Sequence, residues 1–462
     1  MNFWDKMKNK YSKVLKKHSI LYLIMFLFLF LCLYNLSSKQ LDEVELSILL
    51  DTSLRPINYR FIRTGVTHPP LWFFLLHFWN ALFEVGSVIS RVLPLIFGLL
   101  SIYMTHKLAK LMFNLRIANL SAFFLAISPL LIEYSRRADK YTLFVFLSIL
   151  NFYTFIVFLR DGTKKNWVFF LLSSFFLAQT HFYGALLFLV EFLYVFINPN
   201  YKHKAKKVTL AFLIVGLTYL PQFLLTMRYG PFDPPYDEPW HDLLYPSSGN
   251  RFYFLYKEFV VHEIGHLGLL VIICFYFLYF QSKDKNPLPR LLFLLCPSIF
   301  VIISLFMYVR PYQLIFLLPF YLVYLFKYID RFNLNKKYIF FAFFLTVSLI
   351  LFPNFYRQGP DISYIKHIEH NFQEGDILIV DSCETFKIMH YSNLTFTNLS
   401  FYSLYEYSRL INLTKGREWL IYYPELEYID RYYFNNSIIN NLRNNCVLSY
   451  PGPYRVYLCD LN

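Results

Sequence analysis

Apolar runs of roughly 17–22 residues recur down the chain to about residue 353, each about long enough to cross a bilayer as a helix. This limits the fold more than any other feature, because lipid-embedded backbone finds no water and must satisfy its polar groups within a helix. The chain is 56% hydrophobic, 21% aromatic and 16% charged, where a soluble domain carries about a quarter charged residues. The formal charge of +14 would suit a nucleic-acid partner. The basic residues, however, sit in short clusters between apolar runs, which is the pattern of cytoplasmic loops. The reading is a polytopic α-helical membrane protein with no nucleic-acid partner.

Lysines 6, 8, 10, 13, 16 and 17 precede the first apolar run, and no small-residue cleavage site follows it. This predicts an uncleaved anchor with a cytoplasmic N-terminus, in a multi-pass protein of the plasma membrane. Spans are expected at about 19–36, 89–112, 118–134, 141–159, 167–181, 183–198, 208–226, 264–281, 291–309, 312–328 and 338–353. Residues 69–84 are short, begin with two prolines and contain His77 and Asn80, so they read as a juxtamembrane or re-entrant helix rather than a further span. With this alternation Lys164, Lys165, Lys202 to Lys207, Lys283, Lys285, Lys336 and Lys337 fall inside. Arg136, Arg137, Lys140 and Arg310 fall outside, with Asp42 and His68, and break the rule. Basic residues in such places need a separate reason.

Residues 43–50 predict a short amphipathic helix, with Val44, Leu46, Ile48 and Leu49 on the membrane and Glu43 and Glu45 in water. The proline-rich loop 227–262 (PFDPPYDEPWH) predicts a lid. From residue 354 the composition turns polar. DILIVDS, EWLIYY, CVLSY and YRVYLC pattern as strands, so the chain divides into a membrane domain, 1–353, and a small extracytoplasmic α/β domain, 354–462. A hairpin about Pro451-Gly452-Pro453 puts Cys446 opposite Cys459, within disulfide reach in an oxidising compartment. Cys32, Cys274 and Cys296 lie in apolar segments and read as packing residues, and Cys383 is left over.

The polar residues predicted on the outer side are Asp42, Glu43, His68, Glu133, Arg136, Arg137, Asp139, Lys140, His181 and Arg310. A carboxylate facing guanidinium, ammonium and imidazole groups suits one kind of reaction. The acid takes a proton from an incoming hydroxyl, and the cations hold a phosphate and the charge that grows on it as it leaves. The plainer reading makes them headgroup contacts and snorkelling anchors, which suits Arg and Lys better than the Asp42-Glu43 pair.

In order along the chain come Asp42-Glu43, His68-Pro69-Pro70-Leu71, and Arg91 with Pro94 and Gly98-Leu99-Leu100-Ser101. Ser128-Pro129, Tyr134-Ser135 with Ala138 and Tyr141, Thr180-His181-Phe182-Tyr183-Gly184, and Arg310-Pro311-Tyr312 with Pro319 follow. This series resembles the GT-C superfamily of membrane glycosyltransferases, in the branch of the protein O-mannosyltransferases and lipid A aminoarabinose transferase. The resemblance implies a GT-C fold and a polyprenyl-phosphate sugar donor. It implies inverting transfer to a lipid, glycan or protein hydroxyl, with Asp42 as base and Glu43 orienting the loop. It makes His68, Arg136, Arg137, Asp139, His181, Arg310 and Tyr312 candidates for the donor's phosphate and sugar. Relatives often read Tyr-Ser-x-Glu-Ala-Arg-x-Tyr. Here Arg137 stands at the acid and Asp139 at the base, so Asp139 or Glu133 substitutes for a second acid, or none is needed. A divalent cation (Mg or Mn) is left open.

Two rivals compete. His262-Glu263-Ile264-Gly265-His266 is an HExxH zinc-protease signature. The extended form would need Gly and His where Leu269 and Ile272 stand, and the next acid, Asp284, lies beyond an apolar span. A non-enzymatic lipid or sugar transporter usually shows duplicated halves and charges at mid-membrane. This chain shows no repeat and reads as carrying its charges at helix ends.

Overall fold

The computed structural model describes residues 19–37, 41, 45, 48, 49, 52, 69–83, 87–221, 224, 286–299, 311–330, 363–373, 377–379, 416–422, 446–451 and 455–461. The chain divides into two compact units, one of Met1–Lys39, Thr52–Asp233 and Leu244–Arg357, the other of Gln40–Asp51, Pro234–Leu243 and Gln358–Asn462.

The described part of the first unit is helical: α1 (Ser19–Leu33), α2 (Leu71–Phe83), α3 (Ser87–Met112), α4 (Leu115–Ala126) and α5 (Pro129–Ser135). Next come α6 (Tyr141–Asp161), α7 (Lys164–Ala178), α8 (Gly184–Ile197), α9 (Ala205–Thr218), α10 (Pro287–Ile299) and α11 (Leu318–Ile329). By length and apolarity α3 and α6 can each cross a membrane, and α4 with α5, bent by 59°, is long and apolar enough only when the two are taken together, as a broken span or a re-entrant loop. That bend corrects the single straight span expected over 118–134. Pro129 cannot donate to the helix before it and turns Ser128 away from helical geometry (φ −67°, ψ 121°). The expected spans at 264–281 and 338–353, the lid 227–262 and the HExxH segment lie outside the described residues.

Local chemistry sets the turns. Gly162 ends α6 in the left-handed conformation (φ 67°), and the Thr163 side chain accepts from Asn166 N to start α7. These two residues make α6 and α7 an antiparallel hairpin. Lys204 braces this same turn, donating from Nζ to the carbonyls of Phe158 (3.2 Å) and Leu159 (2.5 Å) at the C-terminus of α6. The α3, α4, α6 and α11 packing is filled by aromatic side chains, including Phe124 against Phe326 (5.0 Å) and Phe152 against Phe320 (5.0 Å). Leu23, Phe26, Leu213 and Leu217 are exposed, as lipid-facing positions of such a bundle are.

Helix α2 has 13 residues, about 20 Å of helix against a hydrocarbon core of about 30 Å. His77 and Asn80 do not face water. His77 Nδ1 meets Thr52 O (2.8 Å), Asn80 Nδ2 donates to Thr52 Oγ1 (3.3 Å), and Ser90 Oγ donates to Asn80 Oδ1 (3.1 Å). Glu45 corrects a second expectation: in a helical stretch with Ile48 and Leu49 it is fully buried and engaged in a contact, not exposed to water.

In the second unit α12 (Ser363–Asn371) precedes a four-stranded sheet of β1 (Ile377–Ile379), β2 (Gly416–Tyr422), β3 (Cys446–Pro451) and β4 (Arg455–Leu461). The strand order is β1-β2-β4-β3, with β1 parallel to β2 and the other pairs antiparallel. The β3–β4 register sets Cys446 opposite Cys459. His367 Nε2 meets Ser449 Oγ at 2.9 Å, tying α12 to β3.

Candidate active site

Five of the polar residues singled out in the sequence come together at one end of the bundle. They lie where α5 turns into α6 through residues 136–140 and where α7 turns into α8 through residues 179–183. The approach is close at Gly98 of α3, where an added Cβ would lie 2.4 Å from Ser135 Oγ and 2.8 Å from Phe28 Cζ of α1. Only glycine lets the α5 end and α1 sit this near α3.

Adjacent arginines in this turn do different things. Arg136 is 1% exposed, and its Nη2 donates to Tyr34 O (3.0 Å) and Asn35 O (3.2 Å). Asn35 has a left-handed φ of 55° at the end of α1. Arg136 thus satisfies carbonyls that a helix terminus leaves over and sits at the negative end of its dipole. Arg137 lies over the Tyr134 ring (5.4 Å) and 4.0 Å from Glu133. Asp139 accepts from Lys140 N (2.6 Å), and Lys140 Nζ lies 3.7 Å from Asp139 Oδ1. Burial lowers the Lys140 ammonium from its ordinary range; Asp139 opposes this and Arg137 adds to it.

His181 is 5% exposed, stacked on Phe144 (4.7 Å) and Tyr183 (5.3 Å) with Tyr141 at 5.8 Å. Burial, and then the Lys140 charge, push its pKa down to about 3. Nδ1 accepts from Tyr183 N (3.2 Å), which assigns the proton of the neutral ring to Nε2. His181 is therefore a neutral donor, and this corrects its expected place among the cations.

The Pro69-Pro70 helix start reaches the same place. Leu71 N donates to Gln179 O (2.9 Å), two residues before His181. Trp72 of α2 is fully buried, and Trp79 gives its Nε1–H to Ile89 O (2.9 Å). Asp42, Glu43, His68 and Arg310 lie outside the described residues, while Tyr312 belongs by its backbone to a 3₁₀ turn, Pro311–Leu317. Sequence reasoning missed Phe144, which stacks on His181, because aromatic residues are too common here to stand out; it quoted Tyr183 beside His181 without a role. It also missed the carbonyl partners of Arg136, which carry no side-chain signal at all. Among the described residues no group of three His, Cys, Asp or Glu side chains could hold a metal ion. Asp139 is engaged by Lys140.

Residues 67–226 match the family described as dolichyl-phosphate-mannose-protein mannosyltransferase. No curated protein matches the chain by sequence. Among solved structures, ArnT from Cupriavidus metallidurans bound to undecaprenyl phosphate is 14% identical, with a TM-score of 0.60 over 96% of this chain and 98% of that one. The apo form of ArnT aligns with a TM-score of 0.61 over the same shares. The archaeal oligosaccharyltransferase AglB from Archaeoglobus fulgidus, in complex with an inhibitory peptide and a dolichol-phosphate, is 13% identical. Its TM-score is 0.56 over 90% of this chain and 71% of that one. The chain thus shares the fold of ArnT and AglB, and its residues 67–226 carry the pattern of the dolichyl-phosphate-mannose-protein mannosyltransferase family.

Proposed function

We propose that the protein is an inverting glycosyltransferase that moves one sugar from a polyprenyl-phosphate carrier to an acceptor hydroxyl on the outer face of the membrane. The observation that carries this reading is the gathering of Arg137, Asp139, Lys140 and neutral His181 beside the Pro69-Pro70 helix start, at one end of an apolar bundle. A lipid phosphate at the bilayer rim meets donors there while its tail stays in hydrocarbon. The ligands named for ArnT and AglB, undecaprenyl phosphate and dolichol-phosphate, are of that class.

In this reading Asp42 takes the proton of the acceptor hydroxyl, with Glu43 orienting its loop. The acceptor oxygen bonds to the anomeric carbon from the face opposite the phosphate, and the carbon–oxygen bond to phosphate breaks. The electron pair leaves on the polyprenyl phosphate. Arg137, Lys140, His68 and Arg310 neutralise that charge, and His181 adds its Nε2–H. Tyr312 and Asp139 border the sugar and phosphate. The fuller architecture belongs to the same proposal: about eleven spans plus the juxtamembrane α2, a cytoplasmic N-terminus, and residues 354–462 as an outer α/β domain with Cys446 bridged to Cys459.

The test follows release of lipid phosphate from a labelled polyprenyl-phosphate hexose by purified wild type, Asp42→Asn and Glu263→Gln. Loss in Asp42→Asn and retention in Glu263→Gln is expected. Turnover untouched by Asp42→Asn would overturn the assigned base. Stoichiometric zinc lost on changing His262, with no transfer from a panel of donors, would favour the protease.

A further inference from the structure

Helix α8 is apolar along its whole length except at Glu191, in GALLFLVEFLYVFI. Glu191 is fully buried, and neither of its carboxylate oxygens has a hydrogen-bond partner among the described residues. A second buried acceptor, Asn151 Oδ1 on α6, is in the same condition. An ionisable side chain at such a place in a membrane bundle is costly, and it marks a site when its environment can answer it.

Ring contacts bring the two acceptors to one level. Phe155 of α6 packs against Phe170 of α7 (5.5 Å) and Tyr194 of α8 (6.4 Å). One turn from these rings toward the His181 end lie Asn151 on α6, Ser174 on the antiparallel α7 and Glu191 on α8. Asn151 Nδ2 donates to Ser174 Oγ at 2.8 Å, which fixes the level between α6 and α7. Glu191 also lies two turns beyond Gly184 on nearly the same helical face. Gly184 marks the closest approach to α7, since a Cβ there would be 3.1 Å from Leu177 Cγ.

The hydrogens of this cluster are already committed. Ser174 Oγ donates to Phe170 O (2.8 Å); the Thr154 and Ser173 hydroxyls lie 2.7 Å apart, so one donates to the other and the second donates to a carbonyl, Asn151 O (2.7 Å) or Phe170 O (2.9 Å). With Glu191 ionised, what remains is a surplus of oxygen acceptors with no donor to match, and oxygen-only sets of this kind suit hard cations. The single carboxylate sets the charge. A monovalent ion leaves the site neutral, whereas a divalent ion would strand a net positive charge among apolar side chains.

We propose that Glu191, Asn151 Oδ1 and the Ser174 hydroxyl oxygen form a binding site for a sodium-sized monovalent cation, which joins α6, α7 and α8 inside the bundle. The site is separate from the cluster at the helix ends, since Asn151 lies ten residues along α6 from Tyr141, about 15 Å of helix. It ties together the helices whose ends carry Lys140 and His181, so occupancy fixes the spacing of those ends. The inference does not depend on the glycosyltransferase reading.

The test uses the full chain in lipid nanodiscs, with apparent Tm measured as sodium chloride replaces choline chloride at constant ionic strength. Binding of radiolabelled sodium is measured in parallel. Wild type should show a saturable rise in Tm with sodium and retain one sodium per chain. Glu191→Gln should keep the Tm seen in choline and lose both responses, and Asn151→Ala should weaken both. A wild-type Tm that is the same in both salts, with no sodium retained, overturns the proposal and leaves Glu191 a neutral buried acid. A sodium response that survives in Glu191→Gln overturns it too, by placing the ion elsewhere. Should one variant fail to fold, the other locates the ion, and a sodium response left unchanged in it overturns the proposal.

Discussion

Replacing Arg136 tests whether it acts on the substrate or on the fold of the site. Its Nη2 makes two hydrogen bonds, to Tyr34 O at 3.0 Å and Asn35 O at 3.2 Å, from a side chain that is 1% exposed. A hydrogen bond to a charged group contributes about 1.5–3 kcal/mol. At the low end for both, Arg136→Ala removes about 3 kcal/mol from the attachment of the α1 end. Every 1.4 kcal/mol is about tenfold, so local opening of that segment should become about 100-fold more frequent. The reporters are the amides of Tyr34 and Leu36, which donate to Phe30 O (3.0 Å) and Leu33 O (3.1 Å).

Hydrogen exchange over residues 30–37 of the purified protein is the assay, with wild type, Arg136→Lys and Arg136→Ala compared. Lysine supplies one compact donor group instead of the planar fork and should fall between the other two. On the proposed function, Asp42 lies only seven residues beyond Asn35, so a loosened α1 end should lower kcat while leaving the donor KM within about threefold. Unchanged exchange in Arg136→Ala, together with a raised donor KM at constant kcat, would refute this reasoning and return Arg136 to the phosphate.

His181 has a folded-state pKa of about 3 against an ordinary value of 6.5, so between these values the unfolded chain binds the extra proton and stability falls as pH falls. The slope approaches about 1.4 kcal/mol per pH unit. His181→Gln should therefore flatten the decline of apparent Tm between pH 6.5 and 4, and an unchanged profile would mean that His181 is not the titrating group. Gly98→Ala should cost about 1–3 kcal/mol by overpacking. Its nearest obstacle is Ser135 Oγ at 2.4 Å, so Ser135→Ala should recover part of the loss of Tm; simple additivity of the two changes would place the strain elsewhere.

Features that depend on the immediate neighbours of a residue were legible in the sequence. Gly162-Thr163 announces the α6–α7 turn because a left-handed cap and an N-cap need those residues at adjacent positions. Ser128-Pro129 carries the signal for a break in its two letters, yet the hydropathy of 118–134 reads as one span across it. What depends on a partner far along the chain was not legible. His77 and Asn80 looked like interruptions of an apolar helix, yet both bond to Thr52, 25 and 28 residues away. Arg136 and Arg137 are equivalent as letters. Main-chain carbonyls about a hundred residues away engage the first, and the Tyr134 ring and Glu133 lie against the second. Glu191 disappears into the hydropathy of its own helix, since thirteen of the fourteen residues around and including it are apolar. Its isolation shows only when its buried oxygens are followed to the neighbouring helices.

The electrostatics of the cluster bear on how a phosphate would enter it. At rest the cluster is close to self-neutralised. Asp139 lies against Lys140, Glu133 lies near Arg137, His181 is uncharged, and Arg136 faces helix carbonyls. Burial disfavours the charged ammonium of Lys140, and the single negative charge of an arriving sugar phosphodiester opposes that preference, more so as the phosphate leaves with a second charge. The Arg137–Glu133 pair is 4.0 Å apart, with the acid's side chain 34% exposed, and ion pairs of this kind are worth about 0–1 kcal/mol. Exchanging that contact for a phosphate therefore costs little, while breaking the Arg136 contacts costs several times more. On the proposed function the adjacent arginines divide the work by their energetics: Arg136 holds the frame, and Arg137 is the guanidinium that can turn to the phosphate.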